Sequence, residues 1–599
     1  MQTSNRKRIL LCAIHELSNM YQPFPAGCAY ISAVLKHDSF NVNYFVWDLS
    51  RTDYDNEIGL KQALSKHSID VVMCGGMVHD YKRLLTLFKA VKSISSSIIT
   101  IQGGTFVTYS PNEAMKLLPE CDIGVIGEGE ITICELMRTI EDNGDINSVK
   151  GIIYRDNLNQ TIMTEMRIEV PDLGNLPMPD YEGLFGEWLK NSAHLLPTVS
   201  SRGCNNNCTF CTQAKRYRER PVEKVFEEID YYTSKYNFRE VAFQNDYFST
   251  EEENLNNFCA RAKKSGVPFR LYTRISPKLT LDVLTRLREA GVHMIFYGLE
   301  SADNTVLKSM RKGITVELMI RVLEATKAAR INTCGCFIFG DTAENLITAQ
   351  ATLNFVKEHR DLFHHVEFFM IRLFPGSFLH QKAVDEGKID PIAHIQNLCP
   401  TVNVSSLSDE EYSYLNDFYF NYFYYTEYLV DLNIENINFE RTNNSKNILF
   451  NFDCVTCGKR IDFHVDLKKT NYDDSKIFCE CGERLMLDFF HHLIDKNKIY
   501  EVLKNYKTAF YGIGGLFYKH YYKCELTKSN HDYFLLNGSM RVPCFSDALA
   551  KKIHSPDAID EFGIEKVIVT LSGAYDVDAV VSGLKKKYPG VEFVLWCDV

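Results

Sequence analysis

At 599 residues the chain exceeds the roughly 250–300 residues at which a single hydrophobic core stops growing, so several domains are expected. Hydrophobic residues at 45% and charged residues at 24% are an ordinary globular balance, and a net charge of -11, from 77 acidic against 66 basic side chains, excludes a nonspecific nucleic-acid footprint. No stretch approaches the ~18 apolar residues of a bilayer span, and Met1-Gln-Thr-Ser-Asn-Arg-Lys-Arg8 leads into a short strand rather than a signal peptide, so the expected address is the cytoplasm.

Residues 8–14 read as an apolar strand, 26–36 as a helix and 42–47 as the next strand. The pattern recurs at 70–76, 98–104 and 122–130, each an apolar run ending in glycines before a helix. That is the rhythm of an α/β, doubly wound parallel sheet, expected over 1–145. Ligands of such sheets lie at the carboxyl ends of the strands, where glycine lets a large group approach the backbone. Gly75, Gly76, Gly103, Gly104 and Gly127, with Glu128, are therefore candidate cofactor contacts. Residues 146–195 read as a linker with a β-like piece at 149–154, because the prolines in Leu173-Gly-Asn-Leu-Pro-Met-Pro-Asp-Tyr181 disfavour helix.

From Leu196 strands and helices alternate as a partial six-stranded β/α barrel requires, over 196–400. Strands are expected at 197–201, 240–246, 269–274, 293–301, 333–340 and 366–373. The first delivers Ser201-Arg-Gly-Cys-Asn-Asn-Asn-Cys-Thr-Phe-Cys-Thr212 at its carboxyl end. Cys204, Cys208 and Cys211 lie on a short Gly/Asn-rich loop, so three thiolates can converge on one object and leave room for a fourth ligand that is not cysteine. Soft thiolates so spaced select zinc or an iron–sulfur cluster, and a four-iron cluster on three cysteines keeps one iron open. Polar residues collect at the ends of later strands: Gln244, Asn245 and Asp246; Arg274, whose guanidinium can pair a carboxylate bidentately; Glu300 and Ser301; and Gly340 after Ile338. Taken singly, an Asp or Ser after a strand reads as a helix N-cap.

Residues 408–430 combine an N-cap, an acidic first turn and dense aromatics, as in a helix packed between domains, within a segment at 401–445. Cys454-Val-Thr-Cys457 and Cys479-Glu-Cys481, each followed by glycine, supply four thiolates at 446–490. They predict a closed tetrahedral zinc ribbon, with a second iron–sulfur cluster as the alternative. Seven of the nineteen cysteines thus stand at metal-ligand spacings, and the chain is expected to keep its cysteines as thiols. A fresh strand and glycine turn, Lys507-Thr-Ala-Phe-Tyr-Gly-Ile-Gly-Gly515, opens a second Rossmann-like domain at 500–599, with strands at 533–536, 566–570 and 591–596. The third glycine of a dinucleotide fingerprint would fall at Phe517, and Asn537 stands where an acidic residue would end the second strand. A scaffold or partner-binding role therefore stands beside nucleotide binding.

The Cys-x3-Cys-x2-Cys motif, with the aromatic Phe210 just before its last cysteine, resembles the signature of the radical S-adenosylmethionine (radical SAM) superfamily. The upstream Pro-rich loop followed by Gly-Gly, Gly-Gly and Gly-Glu-Gly-Glu resembles the cobalamin-binding domain of its cobalamin-dependent branch. The run Ser301-Ala-Asp-Asn-Thr-Val-Leu-Lys-Ser-Met-Arg-Lys-Gly313 is similar to that branch's continuation, and the likeness spans roughly residues 8–385. No Asp-x-His-x-x-Gly stretch is present, so the resemblance implies cobalamin bound without a protein histidine. It implies that Cys204, Cys208 and Cys211 hold a [4Fe-4S] cluster and that Gln244, Asn245 and Asp246 hold the SAM amino group. It also implies that Glu300 and Ser301 meet the SAM ribose and carboxylate region, and that Ile338 and Gly340 pack near adenine. The second strand carries Gln-Asn-Asp where the superfamily often has Gly-Gly-Glu. The implied reaction is reductive cleavage of SAM to a 5′-deoxyadenosyl radical, hydrogen abstraction from an unactivated carbon, and methylation by methylcobalamin. The implied partners are a small-molecule substrate and a reducing donor such as flavodoxin or ferredoxin. Rearrangement, cyclisation or oxidation by the same parts is one alternative, and a zinc-stapled scaffold with empty Rossmann-like domains is another.

Overall fold

Along β1 (Arg8–His15), Ile9, Leu11 and Ala13 enter one hydrophobic core while Leu10 and Cys12 enter another. A strand buried on both faces belongs at the centre of a parallel sheet with helices on each side. The computed structural model describes residues 6–595 apart from 16, 18–23, 50, 157, 192–194, 213–215, 239, 246–247, 249–250, 417–433, 442–446, 467–475, 482, 488–491, 494–495, 512–532, 537–552, 555, 557 and 571–576. β2 (Asn41–Asp48), β3 (Val71–Gly75), β4 (Ile99–Gly103) and β5 (Ile123–Val125) complete a parallel sheet in the order β2-β1-β3-β4-β5. Helices Ala26–His37 and Gly129–Glu141 pack on one face, and Asp53–His67 and Tyr81–Ile94 on the other. This doubly wound order has its switch point between β1 and β3, the crevice that receives ligands.

Within the stretch read as a linker, the β-like piece read at 149–154 is a strand that joins the first sheet. β6 (Ile152–Arg155) and β7 (Thr161–Met163) add to β5 as antiparallel strands, because Val149, Ile152, Ile153 and Tyr154 bring enough apolar surface to be carried by the sheet. The Pro-rich piece that follows is pinned at Asp180, whose carboxylate accepts from Ser32 Oγ (2.5 Å) and Tyr44 OH (2.9 Å) and pairs with Lys36 Nζ (2.7 Å). Tyr181 then donates to Pro197 O (2.8 Å), fastening the connection to the next domain.

That domain begins at β8 (Leu195–Thr198), followed by the short antiparallel pair of β9 (Ser201–Arg202) and β10 (Arg218–Glu219). β11 (Glu240–Phe243), β12 (Phe269–Arg274), β13 (Val292–Glu300), β14 (Asn332–Phe339) and β15 (His365–Met370) join β8 in one all-parallel six-stranded sheet, order β15-β14-β13-β12-β11-β8. The first strand ends at Thr198 rather than at residue 201. The Asn245 side chain accepts from the N–H groups of Ser200 (2.8 Å) and Ser201 (3.2 Å), taking the place of ladder bonds. Val241, Phe243, Leu271, Ile295, Phe337 and Phe368 point into the core shared with the surrounding helices. On the other face Tyr272 stacks on Phe296 (4.5 Å between centroids).

Residues 409–416 are helical, and the rest of the aromatic stretch, 417–430, lies outside the described residues. β16 (Ile434–Arg441), β17 (Asn447–Cys454) and β18 (Arg460–Asp466) form an antiparallel sheet, beside the hairpin of β19 (Lys476–Phe478) and β20 (Arg484–Met486). β21 (Thr508–Tyr511), β22 (Tyr533–Leu536), β23 (Ile553–His554), β24 (Lys566–Val569) and β25 (Glu592–Leu595) pair in parallel in the order β23-β22-β21-β24-β25. The glycine turn at 512–515, Phe517 and Asn537 lie outside the described residues. No described helix is long and apolar enough to cross a membrane.

Candidate functional site

The loop that carries Cys204, Cys208 and Cys211 is set at the carboxyl rim of the six-stranded sheet by backbone bonds to distant elements. Thr209 N–H donates to Met310 O (3.1 Å) and Leu379 N–H to Thr209 O (3.0 Å), while Gly203 turns the chain with φ +77. Asn206 Nδ2 donates to Cys204 Sγ (3.1 Å), and all three thiols are half-buried and unbridged. Among the described residues, two sets of thiols and carboxylates gather within 4.8 Å of one another, and this trio is not one of them. A spread wider than a single-ion cage suits a multi-iron object. Burial raises the Cys208 thiol above its ordinary value, while Lys312 and Arg274 pull it back and Glu300 and Cys204 push it up. Two cations therefore stand beside the trio.

Those cations belong to a built group at the end of β13. Glu300 is buried, adopts φ +67, and sits at a register irregularity between β13 and β14. Left-handed backbone at a bulky residue is strain that persists only where neighbours hold it. Here Lys312 Nζ holds the carboxylate at 2.5 Å, and both side chains are under one-tenth exposed. The pair folds over Gly298, where an added Cβ would come within 2.6 Å of Glu300 Oε1 and 2.9 Å of Lys312 Nζ, so glycine makes room for the ion pair. Arg274 donates to Lys312 O, which brings its guanidinium to the same group. Ser301 is buried, with Oγ 3.3 Å from Thr352 Oγ1 and accepting from Asp303 N–H (3.2 Å).

Phe210 and Ile338 pack against one small apolar cluster with Met310, Leu373 and Leu379, which joins the cysteine loop to the end of β14. Gly340 has φ +97 and lies against the Tyr412 ring, which an added Cβ would approach to 3.1 Å. Its N–H donates to Glu344 (3.2 Å), whose carboxyl is lifted by burial to about 7. Gln244 is exposed, Asn245 is occupied in shaping the turn after β8, and Asp246 lies outside the described residues.

The glycine edge of the N-terminal sheet divides into two kinds. Gly104, at φ +92, lies so close to Gly76 that a Cβ would meet its carbonyl oxygen at 2.7 Å, and one at Gly76 would meet Leu84 at 2.9 Å. These two are required by packing within the protein, whereas a Cβ at Gly75 would make only ordinary contact with Cys28 Sγ (3.7 Å). Gly103 and Gly127 border open space, with nothing within 4 Å of an added Cβ. Beside Gly103, Gln102 is fully buried and both polar atoms of its amide lack a partner. An open cradle flanked by an orphaned amide fits a large polar cofactor at this edge.

Glu128 does other work. It receives both Nη atoms of Arg218 (2.8 Å each), Val170 N–H (2.6 Å) and Arg202 Nη1 (3.3 Å), while Arg202 Nη2 reaches Glu130 (2.6 Å). Arg202 and Arg220 both lie against the Tyr30 ring, at 5.0 and 5.7 Å. Arg202 stands two residues before Cys204, so this clamp ties the carboxyl end of β5 to the root of the cysteine loop.

Comparison with known proteins separates the same two halves. The Radical SAM superfamily matches residues 198–356 and the B12 binding domain matches residues 20–137. The chain thus carries a radical SAM domain and, N-terminal to it, a B12-binding domain. An uncharacterised methyltransferase of Pyrococcus horikoshii is 26% identical over 369 residues, 60% of this chain and 78% of that one. Cytidylyl-2-hydroxyethylphosphonate methyltransferase of Streptomyces wedmorensis is 23% identical over 449 residues, 65% and 83% of the two chains. The solved structure of the radical SAM methyltransferase TsrM from Kitasatospora setae, with tryptophan and a SAM analogue bound, shares the fold at TM-score 0.54 and 16% identity, over 63% of this chain and 76% of that one.

The second cysteine set, beyond the radical SAM domain, has the opposite geometry. Cys454 Sγ lies 3.8 Å from Cys481 Sγ and Cys457 Sγ 3.5 Å from Cys479 Sγ, and all four sulfurs lie within 4.8 Å of one another. Tetrahedral zinc with Zn–S near ~2.3 Å needs sulfurs about 3.8 Å apart. The set docks on the barrel through Arg330, which donates to Glu480 O (2.9 Å), and Lys327, 3.7 Å from Glu483. Arg330 precedes β14, so the docking rim is opposite the one that bears Cys204.

Sequence reasoning missed Lys312, Glu344 and the Glu128–Arg202–Arg218 clamp. Lys312 lay inside the run 301–313 with no role assigned. A signal for it was its place 12 residues after Glu300, across one short helix, Asn304–Ser309. No local pattern marks the clamp, whose partners are 74 and 90 residues apart.

Proposed function

We propose that the chain is a cobalamin-dependent radical SAM C-methyltransferase that acts on an unactivated carbon of a small molecule. The observation that supports it most is the placement of the Cys204–Cys208–Cys211 loop beside the Glu300–Lys312–Arg274 group, with the open glycine edge of the B12-binding domain clamped to the root of that loop. When bound, the iron–sulfur cluster supplies the electron that breaks a SAM carbon–sulfur bond, and the corrin carries the methyl group. In this reading Cys204, Cys208 and Cys211 ligate the cluster through their thiolates. Arg274 and Lys312 draw the SAM carboxylate to the rim by charge, and Glu300 keeps Lys312 in place. Gln244 and Asp246 serve the SAM amino group, and Asn245 fixes the turn on which the cysteine loop hangs. Phe210 and Ile338 supply an apolar wall that keeps water from the reacting carbon, and Gly340 lets that wall close near adenine. Gly103 and Gly127 admit the corrin at the sheet edge, and Glu128 acts through Arg202 and Arg218 to hold the two domains in register.

Cys454, Cys457, Cys479 and Cys481 hold a structural zinc, since four thiolates leave no position open. The C-terminal sheet, β21 to β25, is a Rossmann-like scaffold. A flavodoxin or ferredoxin supplies electrons in the cytoplasm. The test is anaerobic purification with added cobalamin, then incubation with SAM and reductant. About four irons and one corrin per chain are expected, with 5′-deoxyadenosine and S-adenosylhomocysteine both formed and the latter dependent on cobalamin. 5′-Deoxyadenosine without cobalamin-dependent S-adenosylhomocysteine would remove methylation and leave a different radical reaction. Neither product after cluster reconstitution would sink the enzyme reading.

A further inference from the structure

A third group of metal-ligating side chains lies outside both cysteine sets. Cys334 and Cys336 are two apart on β14, so they share one face of the sheet. In register, Cys334 stands beside Phe296 of β13 and His365 of β15, and Cys336 beside Gly298 and Glu367. Phe296 stacks on Tyr272, whereas Phe337 and Phe339 of β14 enter the core beneath the helices. The two thiols thus face the interior of the half-open barrel, below the rim that carries Glu300 and Lys312. Gly335 between them fixes this orientation. A Cβ there would come within 2.7 Å of Phe363 and 3.0 Å of Leu299, so β14 is seated on its outer side with no slack.

The thiols of Cys334 and Cys336 and a carboxylate oxygen of Glu367 lie within 4.8 Å of one another, with Cys336 Sγ 3.7 Å from Glu367 Oε2. His365 Nε2 is 3.8 Å from the other Glu367 oxygen. Cys334 is fully buried, while Glu367 and His365 are about one-third exposed, so the group is reachable from the open edge at β15. Two thiolates exclude magnesium and calcium, which take oxygen ligands, and a Cys2Glu set suits zinc. Three protein ligands on one ion are the pattern that leaves a coordination position free.

We propose that Cys334, Cys336 and Glu367 bind a zinc ion whose remaining position opens into the barrel interior, where it takes a heteroatom of the substrate or a water. Binding displaces the two thiol protons to solvent, and no redox change occurs at the ion. This zinc differs from the ribbon zinc in having an open position, and it lies on the substrate side of the barrel.

The test counts zinc per chain in the full-length protein, purified anaerobically and titrated with zinc alone, by elemental analysis. Two zincs are expected. Cys336→Ser and Glu367→Gln should each remove one, and Cys481→Ser should remove the other, so the two sites are counted separately whatever the catalytic outcome. In the cobalt-substituted protein, imidazole should shift the visible bands of one site only, and Cys336→Ser should abolish the shift. Zinc content unchanged by both Cys336→Ser and Glu367→Gln would overturn the proposal, as would iron taken up there in place of zinc. Should Cys336→Ser and Glu367→Gln fail to fold, a folded Cys481→Ser protein that retains no zinc would overturn it as well.

Discussion

The loop of Cys204, Cys208 and Cys211 and the knuckles at Cys454–Cys457 and Cys479–Cys481 use one side chain in opposite geometries. The knuckle sulfurs approach to 3.5 and 3.8 Å, close in four directions, and dock at the rim where β14 begins. The loop offers three half-buried thiols, spaced more widely, at the rim where the strands end, beside Lys312 and Arg274. Four converging thiolates finish an ion's coordination and leave chemistry nowhere to occur, whereas three with cations at hand leave a position for an anionic substrate group. Ligand count and the charge of the surroundings, more than the cysteine itself, separate a staple from a reaction centre.

The sharpest way to break this comparison is to remove one thiol from each set. Cys208→Ala should reduce SAM cleavage to background and strip the iron, while zinc content and thermal unfolding stay as in the parent. Iron analysis and 5′-deoxyadenosine assays read this directly, and retained cleavage would refute the assignment of the loop. Cys479→Ser should do the reverse. It should lose one zinc, open 434–487 to proteolysis and forfeit metal-coupled folding energy on the order of 10 kcal/mol locally, yet keep SAM cleavage within a few-fold. A variant that loses both activities together would mean that the two rims are coupled.

A smaller effect should follow at Lys312. Lys312→Ala leaves Glu300 buried in strained backbone without its cation, and breaking such a pair costs about 3–5 kcal/mol. SAM affinity should fall and unfolding come earlier. Adding Glu300→Gln should restore much of the stability but not the affinity, because the uncompensated charge goes while the cation stays absent. Recovery of both would reduce Lys312 to a structural partner.

The sequence was most informative where chemistry is local. The spacing of Cys204, Cys208 and Cys211, and the apolar runs that end in glycine, announce a barrel and a doubly wound sheet because ligand spacing and strand burial are properties of adjacent residues. Groups built across the fold were silent. Glu128 meets Arg218 over 90 residues, and Cys336 meets Glu367 through strand register, neither of which leaves a local pattern. Four glycines that read alike in a sequence differ in the fold: Gly104 is needed against the backbone of Gly76 and Gly76 against Leu84, whereas Gly103 and Gly127 border open space. The β-like piece read at 149–154 is β6, but its pairing with the first sheet, and β7 beyond it, were hidden for a different reason. Antiparallel edge strands of three or four residues fall below the length at which alternation stands out from a linker.

The smallest expected effect concerns the clamp that joins the cysteine loop to the B12-binding domain. Burial alone would raise the Glu128 carboxyl, but the hydrogen bonds of Arg218 and the charge of Arg202 outweigh it and hold it below its ordinary value of 4.5. A carboxylate lowered on folding contributes stability above its unfolded value, and that contribution is lost as pH falls through the folded value. The clamp should therefore be fully engaged from about pH 5 upward and release on acidification below the ordinary glutamate range. Glu128→Gln removes the charge at every pH. At pH 7 it should lower stability by about 1.5–3 kcal/mol, the usual size for hydrogen bonds to a charged group, and the gap from the parent should close in acid. Hydrogen exchange at 128–130 and 202–220 measures this where it arises, since any zinc held by the four clustered thiolates would leave in acid and obscure a global melt. A gap that persists unchanged below pH ~3 would show that Glu128 acts by shape rather than by charge, and the two domains would then be held in register by the Tyr30 stack on Arg202 and Arg220.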